Sequence, residues 1–441
     1  MLTAFVRAFQ TPDLRKKLLI TLGLIALFRL GASLPTPGIS EKNVAFCSNA
    51  ATQGSTAGVL AIVNLLSGQA LLRLSVFALG IMPYITASII LQLLTVVIPR
   101  LETLKQEGQS GQAKITQYTR YLTVGLAVLQ STGYVELAKS GTLFNGCGAS
   151  GTANPLIPNS STFTIATMVI TMVAGTTVIM WMGELITDRG VGNGMSVLIF
   201  TTVISVIPGE ILAIYRVKGA FYAAIAIVVV VAIVAFIVFM EQAQRRIPVQ
   251  YAKRMVGRRM YGGTSTYIPM KVNQAGVIPV IFASSLLYIP TLAAQLFGNQ
   301  SHPQGWVAWV ARYVEQSNSV FYMLAFFLLI VGFTYFYVSI TFNPTEVADN
   351  MKKYGGFIPG IRPGRPTAEY LQYVLSRLTA PGSVYLGVIA LFPLVALGAA
   401  GVANQFPFSG ISLLIMVGVG LDTVKQIESQ LQQRNYEGFL R

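Results

Sequence analysis

The chain has 441 residues, 53% of them hydrophobic and 11% charged, with 31 Lys+Arg against 16 Asp+Glu and a formal net charge of +15. Soluble domains carry about 25% charged residues, so this composition cannot cover a water-facing surface, and a mean hydropathy of +0.62 assigns most of the chain to lipid. The 41 Gly have no period of three and there are only 2 Cys, which excludes collagen-like repeats and a disulfide-stapled scaffold; the apolar content excludes disorder.

Residues 1–17 come first. Leu2, Phe5, Val6 and Phe9 share one helical face, which predicts a short helix lying in the inner interface. Thr11-Pro12-Asp13 reads as an N-cap and Pro start for the first span. Ten stretches then have the length and apolarity for a membrane-spanning helix, about 20 residues each: near 18–34, 75–98, 119–138, 163–183, 191–214, 221–240, 274–294, 320–341, 383–402 and 409–425. Alternating ten-residue β segments are absent, which argues against a barrel. The polar stretch Thr36 to Thr56 lacks a small-x-small cleavage site, so the first span is read as retained. An even count puts both termini on one side. If that side is cytoplasmic, 24 of the 31 Lys and Arg fall in inner segments, in accord with the positive-inside bias.

Between the first outer loop and span two, Val59–Arg73 reads VLAIVNLLSGQALLR. It is apolar but interrupted by Asn64, Ser67, Gly68 and Gln69, and too short to span. A re-entrant segment and an interfacial helix both fit it.

One internal repeat stands out. Gly80-Ile81-Met82-Pro83 continues to Ala87-Ser88, and Gly276-Val277-Ile278-Pro279 continues to Ala283-Ser284, an offset of 196 residues. The two copies fall in the second span of each set of five. Five spans per half is an odd number, so the halves cross the bilayer in opposite senses, as in inverted-topology repeats with a pathway between them. Pro83 and Pro279 are expected to bend their spans, and Ile81, Ile85, Val277 and Ile281 to present aliphatic groups at matching depths, the makings of an uncharged constriction. No acidic residue occupies the middle of a span, which argues against proton or sodium coupling. Arg29 is near the outer end of span one and is expected to snorkel.

These residues resemble the SecY family of bacterial protein-translocation channels. Ser75–Leu94 (SVFALGIMPYITASIILQLL) and Trp181–Phe200 (WMGELITDRGVGNGMSVLIF) are similar to its two signatures, and Tyr251–Arg259 (YAKRMVGRR) and Pro359–Gly364 (PGIRPG) to its cytoplasmic loops. The resemblance covers essentially the whole chain. It implies an all-α polytopic membrane protein, with ten transmembrane helices in two inverted five-helix halves around an hourglass pore. The pore passes unfolded secretory polypeptides across the bacterial inner membrane and releases membrane-protein helices sideways.

The halves are expected at 18–215 and 216–425, with basic cytoplasmic loops at 241–273 and 342–378 and a tail at 426–441. By resemblance, Ile81, Ile85, Met195, Ile199, Ile281 and Ile415 form the pore ring. Val59–Arg73, with Asn64, Leu65, Leu66, Ser67 and Gly68 at its centre, is the plug. Spans two and seven form a lateral gate, whose polar cluster is Thr86, Gln130 and Asn273, and Gly190–Gly194 is the turn opening span five. Lys253, Arg254, Arg258, Arg259, Arg362 and Arg365 are the docking surface for the ribosome and the SecA motor ATPase. Further implied partners are the small membrane subunits SecE and SecG, signal sequences and nascent chains, and anionic lipids.

The basic loops also fit ordinary topological bias, but seven Lys/Arg against one Glu between spans six and seven exceeds what orientation needs, and ribosomal RNA phosphates would match that charge. The competing reading is an inverted-repeat secondary transporter of a small solute; a non-transporting membrane scaffold is a further one. His302 is read as a solvated outer-loop residue without metal-ligand spacing around it, and Cys47 and Cys147 both fall in outer loops, where a disulfide is compatible with the compartment. No Ser/His/Asp, HExxH or Walker pattern appears, so neither an enzyme nor a cofactor or metal site is expected.

Overall fold

The computed structural model describes residues 9, 11–40, 42–44, 67–68, 70–71, 73–140, 156–158, 161–251, 254–256, 259–261, 265–297, 305–314, 319–399 and 410–437. Cys47, Asn64, Leu65, Leu66, Cys147, Lys253, Arg258 and His302, and residues 1–8, lie outside the described residues.

Helices dominate. In chain order they are α1 Pro12–Ser33, α2 Met82–Val97, α3 Pro99–Gln106, α4 Gln109–Ser140, α5 Thr162–Arg189, α6 Gly194–Lys218, α7 Ala220–Gln242, α8 Ile278–Phe297, α9 Trp306–Tyr313, α10 Val320–Thr341, α11 Pro344–Lys353, α12 Arg365–Ala399 and α13 Gly410–Glu437. Each of the ten expected spans lands on one long helix of this series. Among the described residues, five helices are long and apolar enough to cross a membrane by themselves, and α2 with α3 makes a sixth, bent through 105° at their junction. Large apolar side chains face outward along the helices, for example Leu30 on α1, Val228 and Phe239 on α7 and Leu328 on α10. That arrangement suits lipid as the surrounding solvent.

The expected span two is shorter than 75–98. Residues 76–81 turn, and α2 begins at Met82 with Pro83 in its first turn. α8 begins in the same way, at Ile278 with Pro279 second. Gly80 (φ +56°) and Gly276 (φ +61°) hold the left-handed backbone that precedes each start and that side-chain-bearing residues avoid. The repeated Gly-x-x-Pro is therefore a helix-start device. Neither proline bends a helix interior, because a first-turn amide has no intrahelical acceptor to lose.

The irregular chain before α2 is gripped by protein, which supplies the hydrogen bonds that lipid could not. Thr36 N and Val76 N donate to the carbonyls of Leu74 and Leu34 at 3.1 and 2.9 Å. Phe77 stacks on Phe28 with ring centroids 5.8 Å apart. A Cβ on Gly175 of α5 would come within 2.1 Å of the Val76 carbonyl oxygen.

α2, α4, α5 and α6 contact one another in sequence, with α1 against α5 and α6, and α8, α10, α12 and α13 do so likewise. The two sets meet along two lines: α6 against α7 and α13, and α2 and α4 against α8. One continuous apolar cluster runs through both sets, from Phe28 and Met172 to Phe326 and Leu414.

The two basic loops fold in part as β-structure, which the all-helical expectation lacked. β1 Gln244–Tyr251 pairs antiparallel with β4 Ser265–Lys271, and β5 Gly356–Phe357 adds to the other edge of β1. β2 Arg254–Val256 and β3 Arg259–Tyr261 form a small hairpin. The two basic loops are thus one sheet, seated on a second apolar cluster of Ile247, Val249, Met270, Met351, Ile358 and Leu371. The residues from 426 onward, expected as a tail, continue α13 to Glu437; Ile427 packs with Leu14 and Leu18 of α1 and with Val191.

Candidate pore and gate

Four elements deliver the expected ring residues. Ile81 is the N-cap of α2, placed by Gly80, and Ile85 follows one turn on. At the start of α6, Asn193 Oδ1 accepts from the N–H groups of Met195 (3.1 Å) and Ser196 (3.4 Å), and Gly194 N donates to Thr187 Oγ1 at 2.9 Å. These bonds fix the Gly190–Gly194 turn and thereby the height of Met195 and Ile199. Val191 N donates to Thr21 Oγ1 at 3.2 Å, tying the same turn to α1. Ile281 comes from α8 and Ile415 from α13. All six lie in the one large apolar cluster: Ile81, Ile199, Ile281 and Ile415 are buried, while Ile85 and Met195 are half-buried against it. Val277, the repeat partner of Ile81, packs on the same cluster.

The expected polar cluster is not joined by mutual hydrogen bonds. Thr86 Oγ1 donates to the carbonyl of Met82 within its own helix at 2.9 Å. Gln130 is buried on α4. Asn273 Nδ2 donates to Glu241 Oε1 at 2.6 Å and to the Gly276 carbonyl at 3.2 Å, and its Oδ1 has no partner. Asn273 is therefore clasped to the end of α7 at the root of the β1–β4 hairpin. The side chains that do meet across the seam are Tyr134 of α4 and Tyr288 of α8, whose hydroxyls hydrogen-bond to each other. Sequence reading missed both. A tyrosine in an apolar stretch signals that its hydroxyl needs a partner, but the partner is set by helix rotation.

Of the segment 59–73, the described Ser67, Gly68, Ala70 and Leu71 are inside the protein and Arg73 at its end is exposed; burial of the first four favours the re-entrant over the interfacial reading for them. A Cβ on Gly68 would sit 3.0 Å from Arg29 Nη1 and 3.3 Å from Thr202 Cβ, between α1 and α6. Arg29 is half-buried, and its Nη1 donates to the Gly68 carbonyl at 3.5 Å. In the second basic loop Arg362 and Arg365 are exposed. They flank a turn in which Gly360 and Gly364 both have positive φ (+83° and +108°), and Arg365 Nε reaches Glu369 Oε1 at 3.1 Å. Arg254 and Arg259 lie on the β2–β3 hairpin. Arg120 forms a bidentate ion pair with Glu184, Nε and Nη2 each 2.8 Å from a carboxylate oxygen, joining α4 to α5.

The family model SecY matches residues 75–424. The chain is 62% identical over 445 residues to the protein translocase subunit SecY of Streptomyces scabiei, covering the whole of both chains. It is 57% identical over 446 residues to that of Mycobacterium tuberculosis strain ATCC 25618 / H37Rv, again over the whole of both. Among solved structures, a protein conducting channel superposes with a TM-score of 0.63 at 16% identity, covering 94% of this chain and 92% of the other. Sec61 in the canine ribosome–channel complex from the endoplasmic reticulum does so with a TM-score of 0.59 at 16% identity and the same coverage. A family match over most of the chain, full-length identity above one half and a shared fold lead to one conclusion: this chain belongs to the SecY family.

Proposed function

We infer that this chain is the protein-conducting channel of a translocase, passing unfolded polypeptides across the membrane between its two helical sets and releasing apolar helices sideways between α2 and α8. The observation that supports the reading is that one apolar cluster spans both helical sets and includes Ile81, Ile199, Ile281 and Ile415, with Ile85 and Met195 packed against it. A translocating chain presents every side-chain type in turn, so its conduit cannot rely on specific chemistry. Aliphatic side chains yield around any of them and make no hydrogen-bond demand. At rest they exclude water, and an ion entering without its hydration shell meets a steep barrier.

The segment around Ser67–Leu71 closes the outer side of this waist as a plug, held at Gly68 between Arg29 and Thr202. Opening is driven from outside. The joined sheet of β4, β1 and β5 carries exposed Arg245 and Arg246, and the chain after β5 carries exposed Arg362 and Arg365. Such a surface suits a ribosome, through RNA phosphate, or the SecA motor. SecE and SecG cover apolar flanks within the bacterial inner membrane, both termini face the cytoplasm, and anionic lipid neutralises the basic inner rim.

The test is conductance in planar bilayers. Replacing Ile81, Ile199, Ile281 and Ile415 together by Ser should hydrate the waist and open a steady ion leak in the resting channel, with preprotein transit retained. A variant as tight as the parent would overturn the assignment of the waist.

A further inference from the structure

The short helix α9 carries two unlike stripes. Trp306, Trp309 and Tyr313 are spaced i, i+3, i+7 and are exposed, the two indoles at 53% and 48%. Val307, Val310 and Val314 repeat that spacing one residue on, about 100° around the helix. The valines pack with Leu287 and Ala294 of α8, so α9 turns the aliphatic stripe onto α8 and the aromatic stripe outward. Arg312 is the only charged residue of α9, a composition that does not suit a face turned to bulk water. α9 lies between the end of α8 and the start of α10, whereas the basic loops join the other ends of these two helices through β4 and α11. It therefore belongs to the membrane side opposite the basic loops. The aromatic stripe also continues onto α10. Trp309 and Tyr313 meet Phe321 with ring centroids 5.2 and 6.0 Å apart, both edge to face, and Phe321, Leu324 and Leu328 are exposed in one line along α10.

We propose that α9 is an interfacial anchor, whose Trp306–Trp309–Tyr313 face binds the phospholipid head-group layer opposite the basic loops and so fixes the far end of α8 to the membrane surface. The chemistry selects that occupant. An indole or phenol ring gains from leaving water, while its N–H or O–H needs a polar partner. Acyl chains meet the first demand only and bulk water the second only. The boundary between chains and head groups meets both, which is where Trp and Tyr gather in membrane proteins. Continuity of the stripe with Leu324 and Leu328 places lipid directly beside it. A helix with one apolar and one amphipathic face, lying at the end of two apolar helices, settles about 5–10 Å into that boundary. The anchor acts on α8 because Val310 and Val314 hold Ala294, near its end. Beyond Pro290, which lies inside α8 and interrupts its hydrogen-bond ladder, the last turns of α8 travel with α9 and the bilayer surface.

The chain has only 3 Trp, so Trp181→Phe leaves Trp306 and Trp309 as the sole indoles and makes their fluorescence a depth gauge. The full channel complex carrying that change is placed in phosphatidylcholine vesicles whose acyl chains are brominated either near the head group or near the chain end. Quenching by the shallow bromines should exceed quenching by the deep ones by about twofold or more. Quenching strongest with the deep bromines would place α9 in the hydrocarbon. Quenching by aqueous acrylamide but by neither lipid would place it in water, and quenching by none of the three would mean that protein covers the stripe; each of these results overturns the anchor. A second measurement reads the hold on α8. With Cys47 and Cys147 replaced by Ser, Ala294→Cys should be shielded from a membrane-impermeant maleimide. Trp306→Ser with Trp309→Ser should speed its labelling about fivefold, the effect of losing ~1 kcal/mol, and Trp306→Tyr with Trp309→Tyr, which keeps a ring with a polar tip, should restore the shielding. Labelling unchanged by the Ser pair would show that α8 does not depend on the membrane contact of α9, and would likewise overturn the proposal.

Discussion

The close approach of α5 to α6 offers a sharp test of how the waist is held. Gly194 opens α6 directly before Met195, and a Cβ at Gly194 would lie 1.8 Å from the Gly183 carbonyl oxygen and 2.9 Å from Ile186 Cβ. The obstacle is backbone and cannot swing aside. Restoring ordinary contact at 3.4 Å requires α6 to move off α5 by about 1.6 Å. Overpacking of this kind costs about 1–3 kcal/mol, and ~2 kcal/mol changes the folded-to-unfolded ratio some thirtyfold. Because Met195 and Ile199 ride on the displaced helix, Gly194→Ala should both lower thermal stability and open an ion leak.

Gly183→Ala is the contrast. Its Cβ would meet Met195 Sδ at 2.4 Å and Cε at 2.7 Å, the far end of a flexible thioether. That side chain can rotate away, so the expected cost is under about 1 kcal/mol, with a leak from the displaced Met195 but little loss of stability. The assay pairs thermal unfolding of the purified complex with conductance in planar bilayers. If Gly183→Ala proves the more destabilising, or if Gly194→Ala leaves both stability and seal intact, the reasoning from this helix contact is wrong.

Two further outcomes are expected. Arg120→Lys keeps the charge but loses the two-pronged contact with Glu184; since the Arg120 side chain is 41% exposed, the loss should stay below about 1 kcal/mol, and a larger fall in the unfolding temperature would mean that the pair bears more of the α4–α5 contact than its exposure allows. Arg362→Glu should leave folding intact, because the side chain is exposed and only its carbonyl is engaged, accepting from Thr367 Oγ1 at 2.9 Å. Motor-driven secretion should fall more than membrane-helix insertion in the same vesicles, and equal losses would remove Arg362 from motor docking.

Several features of the site were legible early because they depend on neighbours in the chain. The Gly-x-x-Pro repeat marked the starts of α2 and α8, and the signatures at 75–94 and 181–200 contain Ile81, Ile85, Met195 and Ile199. The physical use of the repeat was misread: Pro83 and Pro279 looked like kinks within spans, whereas they start helices. The difference turns on whether residues 76–81 are helical, and that is decided by Leu34, Phe28 and Gly175, which lie far away in the chain. Asn273 was assigned to the gate, yet its amide is held by Glu241, 32 residues earlier.

What the amino-acid order by itself determined is the membrane class, the ten apolar stretches and the basic side. Crossing a bilayer requires only a local run of apolar residues long enough to satisfy its own backbone, and orientation requires only the charges beside it. Tertiary structure alone decided that the basic loops share a sheet, since β1 and β5 pair across about a hundred residues. It also decided that Arg29 bonds to Gly68 and that Tyr134 finds Tyr288. Those partners follow from the rotation and height of whole helices set by packing, for which no short stretch of sequence carries a period or a signal.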